Sequence, residues 1–78
     1  MIKKIGWIDS WSVGGWQQRS ECHGELLRCE TVGFVVEETD DFICLALSRS
    51  KLDGYRPYCD LITIPKVSIL NSKDIFDD

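Results

Sequence analysis

The sequence predicts an all-β protein, and two observations carry that reading. Its apolar residues come in short runs rich in Val, Ile and Phe, and each run is bounded by turn-forming residues. Val32-Gly33-Phe34-Val35-Val36 leads into Glu37-Glu38-Thr39-Asp40-Asp41, then Phe42-Ile43-Cys44-Leu45-Ala46-Leu47. Beyond a polar loop stand Leu61-Ile62-Thr63-Ile64-Pro65, followed by Val67 and Ile69.

Residues 2–8 are expected to form the first strand, with Ile5 and Trp7 on one face. Residues 9–24 show no sustained period and are punctuated by Ser12-Val13-Gly14-Gly15, which predicts a long loop. A second strand starts near Leu26 and runs through Val36. The parity of its apolar positions changes between Cys29 and Val32, so a bulge or sharp bend is expected there. Gly33 offers a place for close backbone approach.

Glu38-Thr39-Asp40-Asp41 turns the chain into a third strand over residues 42–48, which is apolar on both faces. Ile43, Leu45 and Leu47 lie on one side, and Phe42, Cys44 and Ala46 on the other. Such a strand is central, or is covered by the long loop or a partner. A second loop over 49–58 carries Asp53-Gly54 as its turn and Pro57 near its exit. The fourth strand, 59–64, stops at Pro65, which has no N–H to donate. Residues 66–68 read as one helical turn before a last strand near Ile69-Leu70. Five short strands, a long first loop and a one-turn helix before the last strand are the order of a small SH3-like or Sm-like barrel. The barrel is expected over residues 1–72, with a polar acidic tail over 73–78.

Seventy-eight residues make one domain. A chain this short buries only about 60–65% of its unfolded surface, so pairing or stapling is expected to support it. Its 44% apolar and 28% charged residues are those of an ordinary folded protein. No apolar run approaches the roughly 18 residues of a membrane span. Met1-Ile2-Lys3-Lys4-Ile5 has the positive start of a signal peptide, but Asp9-Ser10 follows Trp7-Ile8 at once, so a cytoplasmic location is expected. The net charge of −4 disfavours general nucleic-acid binding. Acid gathers at Glu37, Glu38, Asp40 and Asp41 and again at Asp74, Asp77 and Asp78, and base at Arg49, Lys51 and Arg56.

Four cysteines, Cys22, Cys29, Cys44 and Cys59, allow a two-disulfide framework or a zinc site using Cys22 and His23 with Cys29 and another cysteine. The first calls for a secretory context and the second for C-x-x-C knuckles. Neither is present in this sequence, so reduced thiols, no metal and no cofactor are expected.

Three segments together resemble a group of small proteins encoded by bacteriophages and prophages. They are Trp7-Ile8-Asp9-Ser10, the continuous stretch from Cys29 through Val32-Gly33-Phe34-Val35-Val36-Glu37-Glu38-Thr39-Asp40-Asp41 to Ala46, and Ile62-Thr63-Ile64-Pro65-Lys66-Val67-Ser68-Ile69. The likeness spans roughly Trp7 to Ile69. It implies a phage setting and a small non-enzymatic protein, and supplies no catalytic residues. Phage genes of this size often encode inhibitors or sponges that oppose host defence.

Catalytic groupings are poor. The single histidine, His23, adjoins Cys22, and neighbours in an extended segment point their side chains apart. Glu37-Glu38 and Asp40-Asp41 sit at a hairpin tip, where acids keep an edge soluble. Trp7, Trp11 and Trp16 fall within ten positions, the last two flanking Gly14-Gly15. Trp7 is expected in the core. Trp11 and Trp16 are either lid residues or binding anchors, since indoles supply large contact area at low entropy cost. Arg49, Lys51, Tyr55, Arg56 and Tyr58 interleave cations and rings on one loop, which suits an anionic, nucleotide-like ligand or an ordinary solvated hairpin.

The leading expectation is a non-enzymatic binding module, homo-oligomeric with a dimer favoured, that sequesters a host protein or a small anionic, nucleotide-like ligand. Trp11 and Trp16 would anchor, Arg49, Lys51 and Arg56 would meet anionic groups, and Tyr55 and Tyr58 would stack. A structural or assembly protein of a phage particle is the rival class. An Sm-like RNA-binding ring is the third.

Overall fold

Five antiparallel strands make up most of the chain: β1 (Ile2–Asp9), β2 (Leu27–Glu38), β3 (Phe42–Arg49), β4 (Tyr58–Pro65) and β5 (Ile69–Phe76). They form one sheet in the order β4-β3-β2-β1-β5. This computed structural model describes residues 1–10, 12, 14–21, 24, 26–51 and 57–76. Among the described residues, helical structure is confined to two three-residue 3-10 turns, Arg19–Glu21 and Lys66–Ser68. No helix among the described residues is long and apolar enough to cross a membrane.

The all-β class holds, but the sheet is not closed into a barrel. β4 pairs with β3 and β5 with β1, leaving these two strands as edges. Ile69 at the start of β5 packs on the core cluster that Ile5, Ile43, Leu45 and Ile64 form. Closure would require a hydrogen-bonded stagger between the edges. Here the three residues Lys66–Ser68 separate them, with Pro65 as the cap at φ −62° and no N–H to give.

The sheet folds over because β2 changes partner. Residues from Leu27 to Phe34 pair with β1, and residues from Phe34 to Glu38 pair with β3. Only Phe34 has a partner on both sides. Next to it is Gly33, where an added Cβ would lie 2.7 Å from the Ala46 carbonyl oxygen. The close approach expected of Gly33 is therefore present. The bulge is not where the parity change put it: pairing with β1 is regular through residues 29–32, and the shift falls between Val35 and Glu37. The inward parity of Cys29 in fact continues through Thr31 and Gly33 to Val35, which packs on the core, while Val32 is half exposed on the other face.

Ile5, Ile43, Leu45 and Ile64 are fully buried, and Trp7, Val35, Ile62 and Ile69 pack against them. β3 is central, with Ile43, Cys44, Leu45 and Ala46 all buried. Leu47 departs from that expectation and is 66% exposed. The ladder passes from Ala46↔Leu61 to Ser48↔Cys59, so Leu47 falls opposite Asp60, whose φ of 56° turns it out of regular strand geometry.

The 3-10 turn over Lys66–Ser68 stands where one helical turn was expected. Its Lys66 N–H donates to the Asp41 carbonyl at 2.8 Å, tying the turn to the β2–β3 hairpin. Within that hairpin, Thr39 Oγ1 accepts from the Asp41 and Phe42 amides at 3.1 and 3.2 Å. β5 runs six residues beyond Leu70. Residues 73–76, assigned by sequence to a polar tail, complete a strand along β1 with shifts after Ile2 and Gly6.

Candidate functional site

Of the seven residues singled out by sequence, Trp16, Arg49, Lys51 and Tyr58 are described, and Trp11, Tyr55 and Arg56 lie outside the described residues. So do Cys22, His23 and the Asp53-Gly54 turn. Trp16 follows Gly15, whose φ of 86° only glycine adopts without strain, and its side chain is fully exposed. Local bonds hold the segment around it. Gln17 Nε2 donates to the Gly14 carbonyl at 3.3 Å, and the Glu21 amide donates to the Gln18 carbonyl at 2.9 Å. Trp7 is placed oppositely, packed on the core with its indole N–H donating to Thr31 Oγ1 at 2.9 Å.

Arg49 and Tyr58 are brought together as register partners at the end of the β3–β4 ladder. The loop beyond them closes with the Ser50 amide donating to the Pro57 carbonyl at 2.7 Å. The Arg49 guanidinium lies 4.8 Å from the centroid of the Phe34 ring, a cation–π stack. Sequence reasoning missed Phe34, because its side chain belongs to the residue where β2 exchanges β1 for β3. Lys51 is exposed.

A second constellation, also missed, lies on the outer face of β1, β2 and β5. It is an open depression of about 390 Å³ lined by Lys4, Gly6, Arg28, Cys29, Glu30, Leu70 and Asn71. Lys4 Nζ pairs with Glu30 Oε2 at 2.7 Å. Gly6 forms the floor, and a Cβ there would fall 2.6 Å from Asn71 Oδ1, so the missing side chain admits the Asn71 carboxamide. The one available signal was a glycine in the middle of an otherwise well-formed strand.

Near the β2–β3 hairpin, Glu38 gathers two cations, Lys66 Nζ at 2.5 Å and Lys3 Nζ at 3.2 Å. The Lys66 hydrogen bond first, and the Lys3 bond second, hold its carboxyl below the ordinary glutamate value. Lys3 also reaches Asp74 of β5 at 3.7 Å. Among the described residues no three His, Cys, Asp or Glu side chains converge as a metal site, and no polar or charged residue is buried.

No protein-family model, curated protein or solved structure matches this chain.

Proposed function

We propose that this chain is a non-enzymatic binding protein of the phage type, built on an opened sheet of SH3-like or Sm-like order, which sequesters a host protein in the host cytoplasm. It acts as a homo-oligomer, with a dimer favoured. The observation that carries the reading is the full exposure of Trp16 on a locally braced loop. An indole in water gives nothing to folding, whereas at an interface it supplies a rigid apolar anchor. Arg49, Lys51 and Tyr58 extend the set of candidate contacts, and Arg49 is pre-oriented by the Phe34 ring. A host-protein target is favoured over a nucleotide-like one because an indole standing clear of the surface needs a partner with its own pocket. A counter-defence inhibitor is the role that best joins this surface to the phage resemblance.

The test is affinity capture from a bacterial lysate, purification of the captured protein, and titration against wild type and Trp16→Ala. Weakening by about thirtyfold, the roughly 2 kcal/mol of a binding hot spot, with an unchanged melting temperature is the expected result. Equal affinities would remove Trp16 from the site. Stoichiometric nucleotide co-purifying with the protein, read from its absorbance at 260 nm, would replace the protein target by a small ligand.

A further inference from the structure

This inference rests on the homo-oligomeric reading and names the surface that joins the copies. The chain exposes 6450 Å², whereas a compact protein of 8.9 kDa exposes about 4,800 Å². Its radius of gyration is 16.1 Å, against about 11.5 Å for a compact domain of 78 residues. The surplus area of about 1,600 Å² is twice the roughly 800 Å² that each partner contributes to a stable interface. Exposed area on that scale is enough for an interface with a second copy.

Charge selects which surfaces meet. The outer face of β1, β2 and β5 presents Lys4 and Arg28 at the depression, and Lys73 is the register neighbour of Lys4. Among the described residues Glu30 is the one carboxylate lining it against the two cations Lys4 and Arg28, a surplus of one that Lys73 beside it adds to, on a chain whose net charge is −4. Arg28 and Lys73 have no ion-pair partner among the described residues, and Asn71 has no side-chain hydrogen bond there. The β2–β3 hairpin carries the opposite sign. Glu37, Asp40 and Asp41 are exposed at its tip, while Glu38 is occupied by Lys3 and Lys66. Val32 and Leu70, about half exposed on the strands that flank the depression, supply apolar area beside the charges.

We propose that the depression on the outer face of β1, β2 and β5 receives the acidic β2–β3 hairpin of a second copy, and that the contact is reciprocal about a two-fold axis. Each copy then gives one hairpin and receives one, so the interface closes at two. The edges need not pair. Asp60 at positive φ and Pro65 break regular hydrogen bonding along β4, a common guard against edge-to-edge association.

The experiment is light scattering at micromolar concentrations on wild type, on Arg28→Glu/Lys73→Glu and on Glu37→Lys/Asp40→Lys, with circular dichroism confirming that each variant is folded. Wild type is expected to be a dimer, and each charge-reversed variant a monomer, with dissociation constants raised about tenfold or more. A one-to-one mixture of the two variants should regain the dimer mass, because each reversed hairpin meets a reversed face. A monomeric wild type would overturn both this interface and the oligomeric reading. A dimeric wild type whose variants remain dimers, or whose mixture stays monomeric, would overturn the interface alone. Small anions that co-purify with wild type and are lost from Arg28→Glu/Lys73→Glu would reassign the depression to a ligand.

Discussion

The indole N–H of Trp7 donates to Thr31 Oγ1 at 2.9 Å, linking β1 to β2 on the face that also carries Ile5 into the core. This bond lets a tryptophan pack inward without leaving its polar atom unpaired. Trp16, nine positions on, has no comparable setting and is exposed.

The two tryptophans should therefore separate in stability. Trp7→Ala removes packing against Ile5 and its neighbours and orphans the Thr31 hydroxyl, at a cost of about 3 kcal/mol. For a domain this small, that lowers the melting temperature by more than about 10 °C. Trp16→Ala should change stability by no more than about 0.5 kcal/mol. Thermal melts of both variants decide the matter, and equal losses would place Trp16 in the core.

The glycines of β1 and β2 should also separate. Replacing a strand glycine by alanine ordinarily gains about 0.5–1 kcal/mol from the unfolded state. At Gly33 the new Cβ would meet the Ala46 carbonyl at 2.7 Å and Leu45 Cβ at 3.1 Å, in the backbone and packed core of β3. Gly33→Ala is expected to destabilise by about 1–3 kcal/mol. At Gly6 the nearest atoms belong to the end of the Asn71 side chain, which can swing toward solvent. Gly6→Ala should be close to neutral, and chemical denaturation with an unchanged slope is the measurement.

Glu38 predicts an acid-sensitive hairpin. Its carboxyl is held below its ordinary value of 4.5, first by Lys66 and then by Lys3. A carboxylate whose pKa is lower in the folded than in the unfolded state stabilises fully above the unfolded value. That contribution fades as pH falls through the folded value. The melting temperature of wild type should therefore drop more steeply below pH 4.5 than that of Glu38→Gln, which is already less stable at neutral pH. All three side chains are partly exposed, so the difference is modest and shrinks with added salt. Parallel curves for the two proteins would show that the Lys3–Glu38–Lys66 cluster contributes nothing.

What the residues determined by themselves was local. Alternation and β-branching placed the first four strands and the start of the fifth, Thr39 and its acidic neighbours marked the β2–β3 turn, and Pro65 marked the break before the 3-10 turn at Lys66–Ser68. Trp7 beside Ile5 was readable as core because a period of two residues sets the face of a strand. Tertiary structure decided what depends on partners distant in sequence. The exchange of β1 for β3 along β2, the extension of β5 to Phe76 and the unpaired edges β4 and β5 are choices of register and neighbour, and single-strand periodicity contains neither. For the same reason the sequence showed Arg49 and Tyr58 but not the Phe34 ring under the guanidinium, and Gly6 but not the Asn71 carboxamide over it. Those surfaces exist only once three strands lie side by side, because each takes its side chains from strands that only long-range pairing brings together.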